Sequence, residues 1–258
     1  MNLTESSIKV RNRFFRSCSR ILSRKSFTMH NHSPLVSFTF DDFPKSAYLS
    51  GDQLLKNYGF TATYYVSLLK LGNESPSGIL AGLEEIKAAL AGGHEIGCHT
   101  YSHCDAWETK PSFFESSIIE NQKRLNVILP GTSFKTFAYP FGNVTARTKK
   151  IVSKYFVCAR GVDRGQTFNK GKIDLNNLEA FFLNKRNGED IKIIKHIIDM
   201  NYSHCGWLIF CTHDISNTPS PYGCSHDFFE MIVDYAASSG TIVLPVIKAF
   251  QALYQGMV

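Results

Sequence analysis

The stretch Leu35-Val36-Ser37-Phe38-Thr39-Phe40-Asp41-Asp42 decides how this chain is read. Its first six residues put apolar side chains on both faces, as strands of a buried parallel sheet do. Two adjacent carboxylates follow at the point where the strand gives way to a loop. In barrels built of strand and helix units, that C-terminal strand end is the rim that carries catalysis. Two neighbouring carboxylates repel one another in a dry pocket unless a cation accepts one of them, so a metal ligand beside a general base is one arrangement that suits them. The plainer reading of a lone Asp pair is a helix cap or a turn.

Working outward, the same pattern of β-rich run, turn and helical stretch repeats to the end of the chain. Strands are expected at 35–40, 62–67, 95–98, 136–139, 155–159, 178–183, 207–212 and 241–244. Between them, 79–91 has Leu83, Ile86, Ala89 and Leu90 at helical spacing and stops at Gly92-Gly93. A helix from Ser112, with Glu115 completing a capping box, should face Phe114, Ile118, Leu125 and Ile128 inward. Further helices fit 146–154, 189–200, 227–239 and 246–254. Seven or eight such units in one domain suggest an α/β fold of the (β/α) barrel type, complete or distorted; a doubly wound open sheet has the same pattern.

Composition bounds the rest. The chain has 258 residues, 43% hydrophobic and 19% charged, which is ordinary for a globular protein. Much of the net charge of +6 sits in Lys9, Arg11, Arg13, Arg16, Arg20, Arg24 and Lys25, so residues 1–32 read as a basic N-terminal extension and 33–258 as a nearly neutral domain. No basic stripe interleaved with aromatics occurs in that domain, so no nucleic-acid partner is expected. Phe14, Phe15, Ile21 and Leu22 are interrupted by Arg and Ser, which speaks against a signal peptide. Their spacing leaves a solvated tail or a basic helix lying on an anionic membrane surface. The seven cysteines form no C-x-x-C pair, so a disulfide framework is not expected and a reducing, cytoplasmic location is.

Three more strand ends carry chemistry. After 95–98 comes His99-Thr100-Tyr101-Ser102-His103, and two imidazoles four apart hold one ion if the segment turns helically. With Asp42 they make three protein ligands and leave a position open, the arrangement of a catalytic zinc; cobalt, nickel or iron would accept it too. His213, after 207–212, is either a satisfied structural histidine or a general acid, and its place on the same rim favours the acid. Tyr139-Pro140-Phe141-Gly142 is an ordinary turn as a bare motif, although its backbone N–H groups could face a developing oxyanion.

Taken in order, Thr39-Phe40-Asp41-Asp42, His99 to His103, Phe137 to Gly142 and Cys211 to Asp214 resemble the polysaccharide deacetylases of the NodB-homology type, carbohydrate esterase family 4. The resemblance runs from about Leu35 to about Val246. It implies a distorted (β/α) barrel with seven or eight parallel strands, one divalent metal ion (zinc foremost), and hydrolysis of an N-acetyl group on an amino sugar. It puts Asp41 on the general base, Asp42, His99 and His103 on the metal ligands, His213 on the general acid and the Phe141 N–H on the oxyanion donor.

The chain departs from the family at several points. Phe43 stands where a Gly usually follows the Asp pair, and Cys211 replaces a Leu. Ala138 stands where many members carry an Arg that pairs with the catalytic Asp, and Arg160 is the candidate substitute. The D-x-x-D-W segment is missing, leaving Asp163 as the candidate to orient His213. Tyr101, Trp107 and Tyr222 would suit stacking on a sugar ring or ordinary packing. A hydrolase of a non-sugar amide, imide or ureide and a catalytically inactive relative that only binds are the alternatives.

Overall fold

The computed structural model describes residues 5–162, 167–256 and 258. Its central sheet is parallel throughout. The strands are β1 (Leu35–Phe40), β2 (Thr63–Val66), β3 (Glu95–Cys98), β4 (Thr136–Ala138), β5 (Cys158–Arg160), β6 (Phe181–Phe182), β7 (Trp207–Thr212) and β8 (Ile242–Val243). Seven follow the order β6-β7-β1-β2-β3-β4-β5, and β8 pairs with β1. The curled sheet closes through one short bridge: Leu178 donates to the Ala159 carbonyl at 2.8 Å, and Gly161 donates to the Leu178 carbonyl at 2.9 Å. One edge of β1 is shared, with Leu35 and Val36 facing β8 and Thr39 and Phe40 facing β2. The result is a distorted (β/α) barrel rather than an open sheet.

Alternation along the strands divides the core in two. Val36, Phe38 and Phe40 of β1 join Leu208 and Phe210 of β7 in the larger cluster, under Phe228, Phe229 and Ile232 of α7 (His226–Ser238). Leu35 joins Trp207, Ile209 and Cys211 in the second. The polar residues on that second face are satisfied: Ser37 donates to the Leu244 carbonyl at 2.7 Å, and Thr39 to that of Phe210 at 2.9 Å. Asp41, next in the same alternation, receives its backbone hydrogen bond register from β7 by donating to the Thr212 carbonyl at 2.8 Å.

The other helices are α1 (Glu5–Ile21), α2 (Gln53–Lys56), α3 (Leu83–Ala91), α4 (Pro111–Ile128), α5 (Ala146–Tyr155), α6 (Ile191–Ser203) and α8 (Val246–Gln255). Local chemistry moves several boundaries. The helix expected from residue 79 starts at Leu83, because Gly78–Ile79 pairs with Glu74–Ser75 and Glu85 accepts the Gly82 N–H at 2.7 Å. The Ser112–Glu115 capping box does not form. Instead α4 opens on Pro111, whose missing N–H costs nothing at a first helical position, and Glu115 accepts from Lys154 and Tyr155. Tyr155, expected in a strand, ends α5.

The described part of the segment ahead of residue 33 packs against the domain. Helix α1 lies against α5, and Ser26–Thr28 pairs antiparallel with Lys172–Asp174. One side chain does much of the holding. Lys149, fully buried, donates to the carbonyls of Ser19 at 2.6 Å and Leu22 at 3.0 Å, near the C-terminus of α1, and pairs with Asp174. A cation suits a helix C-terminus. Val10, Phe14, Ile21 and Leu22 are exposed. None of the described helices is long and apolar enough to cross a membrane. Lys149→Ala should lower stability by about 3 kcal/mol, the usual result of removing one partner of a buried pair. The check is the urea midpoint, with Asp174→Asn added to the Lys149→Ala background recovering part of the loss.

Candidate metal and catalytic centre

The C-terminal ends of β1, β3, β4, β5 and β7 converge on one cavity of about 540 Å³, lined among others by Asp41, Asp42, His99, His103, Phe141 and His213. Cys211, Phe182 and Tyr222 form part of its wall, and the hairpin residues Pro76 and Ser77 overhang it. The size suits a sugar-sized ligand. Four separate stretches of the chain, all singled out by motif, meet here. Lys70, Pro76, Ser77, Val162 and Phe182 also line it, from segments whose sequence carries no signal of their role.

Asp42, His99 and His103 offer one ligand atom each, all within 4.8 Å of one another. The segment 99–103 is not a helical turn. Thr100 and His103 both take left-handed backbone conformations, φ +59° and +56°, and the bend brings the two imidazole centroids to 4.9 Å. His99 Nδ1 lies 2.8 Å from the Ala138 carbonyl, which accepts its proton and so assigns that tautomer, leaving Nε2 as a lone-pair donor. Burial draws His99 down to about 4 and His103 to about 3, with Lys70 adding to the depression of His103, so both rings are neutral near pH 7. Asp42 Oδ1 is buried without a hydrogen bond among the described residues and stands 3.4 Å from His103 Nε2.

Asp41 sits beside this set. Burial pushes its carboxyl up, but the Arg160 guanidinium, His99, His213 and the hydrogen bond from Arg160 together hold it below the ordinary carboxylate range. Arg160 is fully buried, donates through Nη2 to Asp41 Oδ1, and lies 4.8 Å from the Tyr65 ring centroid. Its position explains Ala138: the two residues are register partners on adjacent strands, so the guanidinium reaches the carboxylate from one strand further round the barrel.

His213 stands between Phe182 and Tyr222, with ring centroids at 5.6 and 5.7 Å. Its buried Nδ1 has no hydrogen-bond partner among the described residues. Asp163, the expected orienting group, lies outside the described residues. Asp214 is committed elsewhere, accepting from Ser220 N at 2.7 Å, and so shapes the loop that carries Tyr222. Tyr222 lines the cavity, whereas Tyr101 packs under Arg124 of α4 and does not. Trp107 borders an adjoining cleft and donates through Nε1 to the Val144 carbonyl at 3.1 Å.

The loop after the Asp pair retains a glycine-like path without glycine. Asp42 and Phe43 have φ +57° and +52°, a region that disfavours side chains. The Phe43 ring offsets that cost by burying completely against Tyr64, with centroids 4.2 Å apart. Phe141 is likewise left-handed, φ +60°, its ring 62% exposed and set edge-on to His103 at 4.6 Å.

The sequence profile of the family described as polysaccharide deacetylase matches residues 29–157. This chain belongs to the polysaccharide deacetylase family. The match ends before Arg160 and His213, which the fold brings to the same cavity. A curated gellan lyase of a Bacillus species is 27% identical to this chain over 211 residues, 71% of this chain but 8% of that protein. The chain therefore spans less than a tenth of that relative. Among solved structures, the chitin deacetylase of Colletotrichum lindemuthianum aligns at TM-score 0.59 and 17% identity, covering 86% of this chain and 89% of that one. The peptidoglycan deacetylase PdaC of Bacillus subtilis aligns at 0.54 and 18%, covering 87% and 93%. A family 4 acetyl xylan esterase of Clostridium thermocellum, solved with a cobalt ion, aligns at 0.56 and 20%, covering 84% and 90%. At these identities the likeness is one of fold.

The packing around Phe43 yields a stability test. Phe43→Ala should cost about 3 to 4 kcal/mol through loss of the buried ring. Phe43→Gly loses the same ring but relieves the left-handed backbone, so it should cost about 1 kcal/mol less than Phe43→Ala. Chemical denaturation of the two variants decides the order.

Proposed function

We propose that this protein is a zinc-dependent N-deacetylase that hydrolyses the N-acetyl group of an amino sugar in a saccharide or saccharide precursor. The observation that carries the reading is the pairing, in one cavity, of a three-ligand cluster with a second carboxylate kept ionised by a buried arginine. The chitin and peptidoglycan deacetylases named above support an N-acetylated saccharide as the substrate class.

The donor set fits a divalent ion. Asp42 Oδ1 is a buried carboxylate oxygen without a hydrogen bond among the described residues, a costly arrangement that a cation at that point would relieve. Two imidazoles neutral at pH 7 and one carboxylate are the ligands zinc accepts with a position left open, and cobalt, nickel and iron accept the same set. When bound, the ion supplies Lewis-acid polarisation of the acetyl carbonyl and of a water.

The remaining work belongs to the chain. Asp41, ionised beside Arg160, takes the proton of the attacking water, whose oxygen bonds to the acetyl carbon. The Phe141 N–H, turned by its left-handed backbone, donates to the oxygen that becomes negative. His213 then gives a proton to the sugar nitrogen as the C–N bond breaks, and acetate and a free amine leave. Cys211, smaller than leucine, leaves more of the wall open where the acyl group would sit.

His103→Ala should lower zinc content, whereas Asp41→Asn should keep the metal and lose turnover; equal metal loss in both, read by elemental analysis, would overturn the division of roles. His213→Ala should slow acetate release by roughly 10²- to 10⁴-fold with metal retained. Arg160 helps hold the Asp41 carboxyl low, so Arg160→Gln should raise its pKa. The base acts deprotonated, so the acid limb of the kcat/KM profile should move to higher pH. An unmoved limb would detach Arg160 from the base.

A further inference from the structure

The mouth of the catalytic cavity carries positive charge that no carboxylate among the described residues pairs with. Lys70 lines the cavity itself. A narrow cleft beside it shares Gly142 and Val162 as a common wall and is bordered by Arg16 and Arg20 of α1. Arg186 lies 4.4 Å from the centroid of Tyr222, another wall residue. None of these four cations forms an ion pair among the described residues.

Four acids nearby are already engaged. Asp41 is held by Arg160, Asp214 accepts from Ser220, Glu108 pairs with Arg11, and Asp105 accepts from Asn143 and from the Trp107 N–H at 2.8 Å. Asn177 Oδ1, at the wall of the same cleft, is a buried acceptor without a partner among the described residues. The arginines are not on a loose tail. Their helix is fastened by Lys149 at its C-terminal end, and Arg16 is itself set 5.1 Å from the centroid of Trp107.

We propose that the preferred substrate is an acidic saccharide: the N-acetylated unit occupies the catalytic cavity and a neighbouring unit bearing a carboxylate or phosphate lies against Arg16 and Arg20. The inference rests on the deacetylase reading and adds the substrate's charge to it. Guanidinium groups match both anions in a planar, two-point geometry. Helix α1 is then a part of the substrate-binding groove.

The test compares the zinc-loaded full chain with its Arg16→Gln/Arg20→Gln variant on a hyaluronan tetrasaccharide, the same chain with its carboxyls reduced to alcohols, and N-acetylglucosamine 1-phosphate. Acetate release gives kcat and KM, and calorimetry on the Asp41→Asn background gives binding without turnover. The expected result is about a tenfold lower KM for the acidic chain than for its reduced form, as two exposed charge contacts would give. That preference should vanish in the double variant and in 0.5 M salt at about the same kcat. A preference confined to the sugar phosphate would support the proposal with phosphate as the anion.

Equal KM and equal binding for acidic and reduced chains would overturn it. So would arginine-dependent binding to phosphatidylglycerol vesicles without charge preference among saccharides, which would assign α1 to a membrane surface. If no substrate releases acetate, the deacetylase reading fails. Calorimetry then separates the two failures, because arginine-dependent binding of the acidic chain alone would keep the charge preference standing.

Discussion

The buried ion pair between Arg160 and Asp41 links the last strand before the barrel's short closure to its central one. Arg160 lies on β5 at the bridge to Leu178, and Asp41 follows β1. Removing two charges from water is expensive, and a pair of this kind repays the cost only with good geometry and further contacts. Here the contacts are the Tyr65 ring and the Gly161 carbonyl, which accepts from Arg160 Nη1 at 3.3 Å. The pair has consequences for everything around it. It keeps one carboxylate of an adjacent pair ionised, while Asp42, the other, stands beside two neutral imidazoles with one oxygen unbonded among the described residues.

A second constraint is backbone strain gathered at one rim. Asp42, Phe43, Thr100, His103 and Phe141 all adopt positive φ without being glycine. Each such residue carries a cost of order 1 to 2 kcal/mol, which persists only where the surroundings over-determine the conformation. The surroundings do so with aromatic packing under Phe43, hydrogen bonds such as Cys104 N–H to Thr100 Oγ1 at 2.9 Å, and the Pro140 turn. The strained positions Asp42, His103 and Phe141 all line the same cavity.

The N-terminal segment shows how charge and packing combine. As a string of arginines between apolar residues it resembles a solvated or lipid-binding tail. Folded, it is fastened by a lysine that belongs to α5 and lies more than a hundred residues away in the chain. That fastening brings basic side chains to a cleft beside the Asp41–His213 cavity, where a free tail would leave them dispersed in water.

The chain's own sequence determined the strands β1, β3 and β7 to the residue and the alternation of strand and helix, because apolar runs and their period are local properties. It also determined which residue types stand at the strand ends, and with them the candidate ligands and acid–base groups. Short strands such as β6 and β8 blurred by a residue or more, since their pairing rests on neighbours far along the chain. Only the tertiary structure decided that the sheet curls into a distorted barrel, that Arg160 occupies the place vacant at Ala138, and that Phe43 takes a glycine's conformation. The reason is the same in each case. Register between strands and the burial of one side chain against another are set by contacts between segments that no local pattern connects.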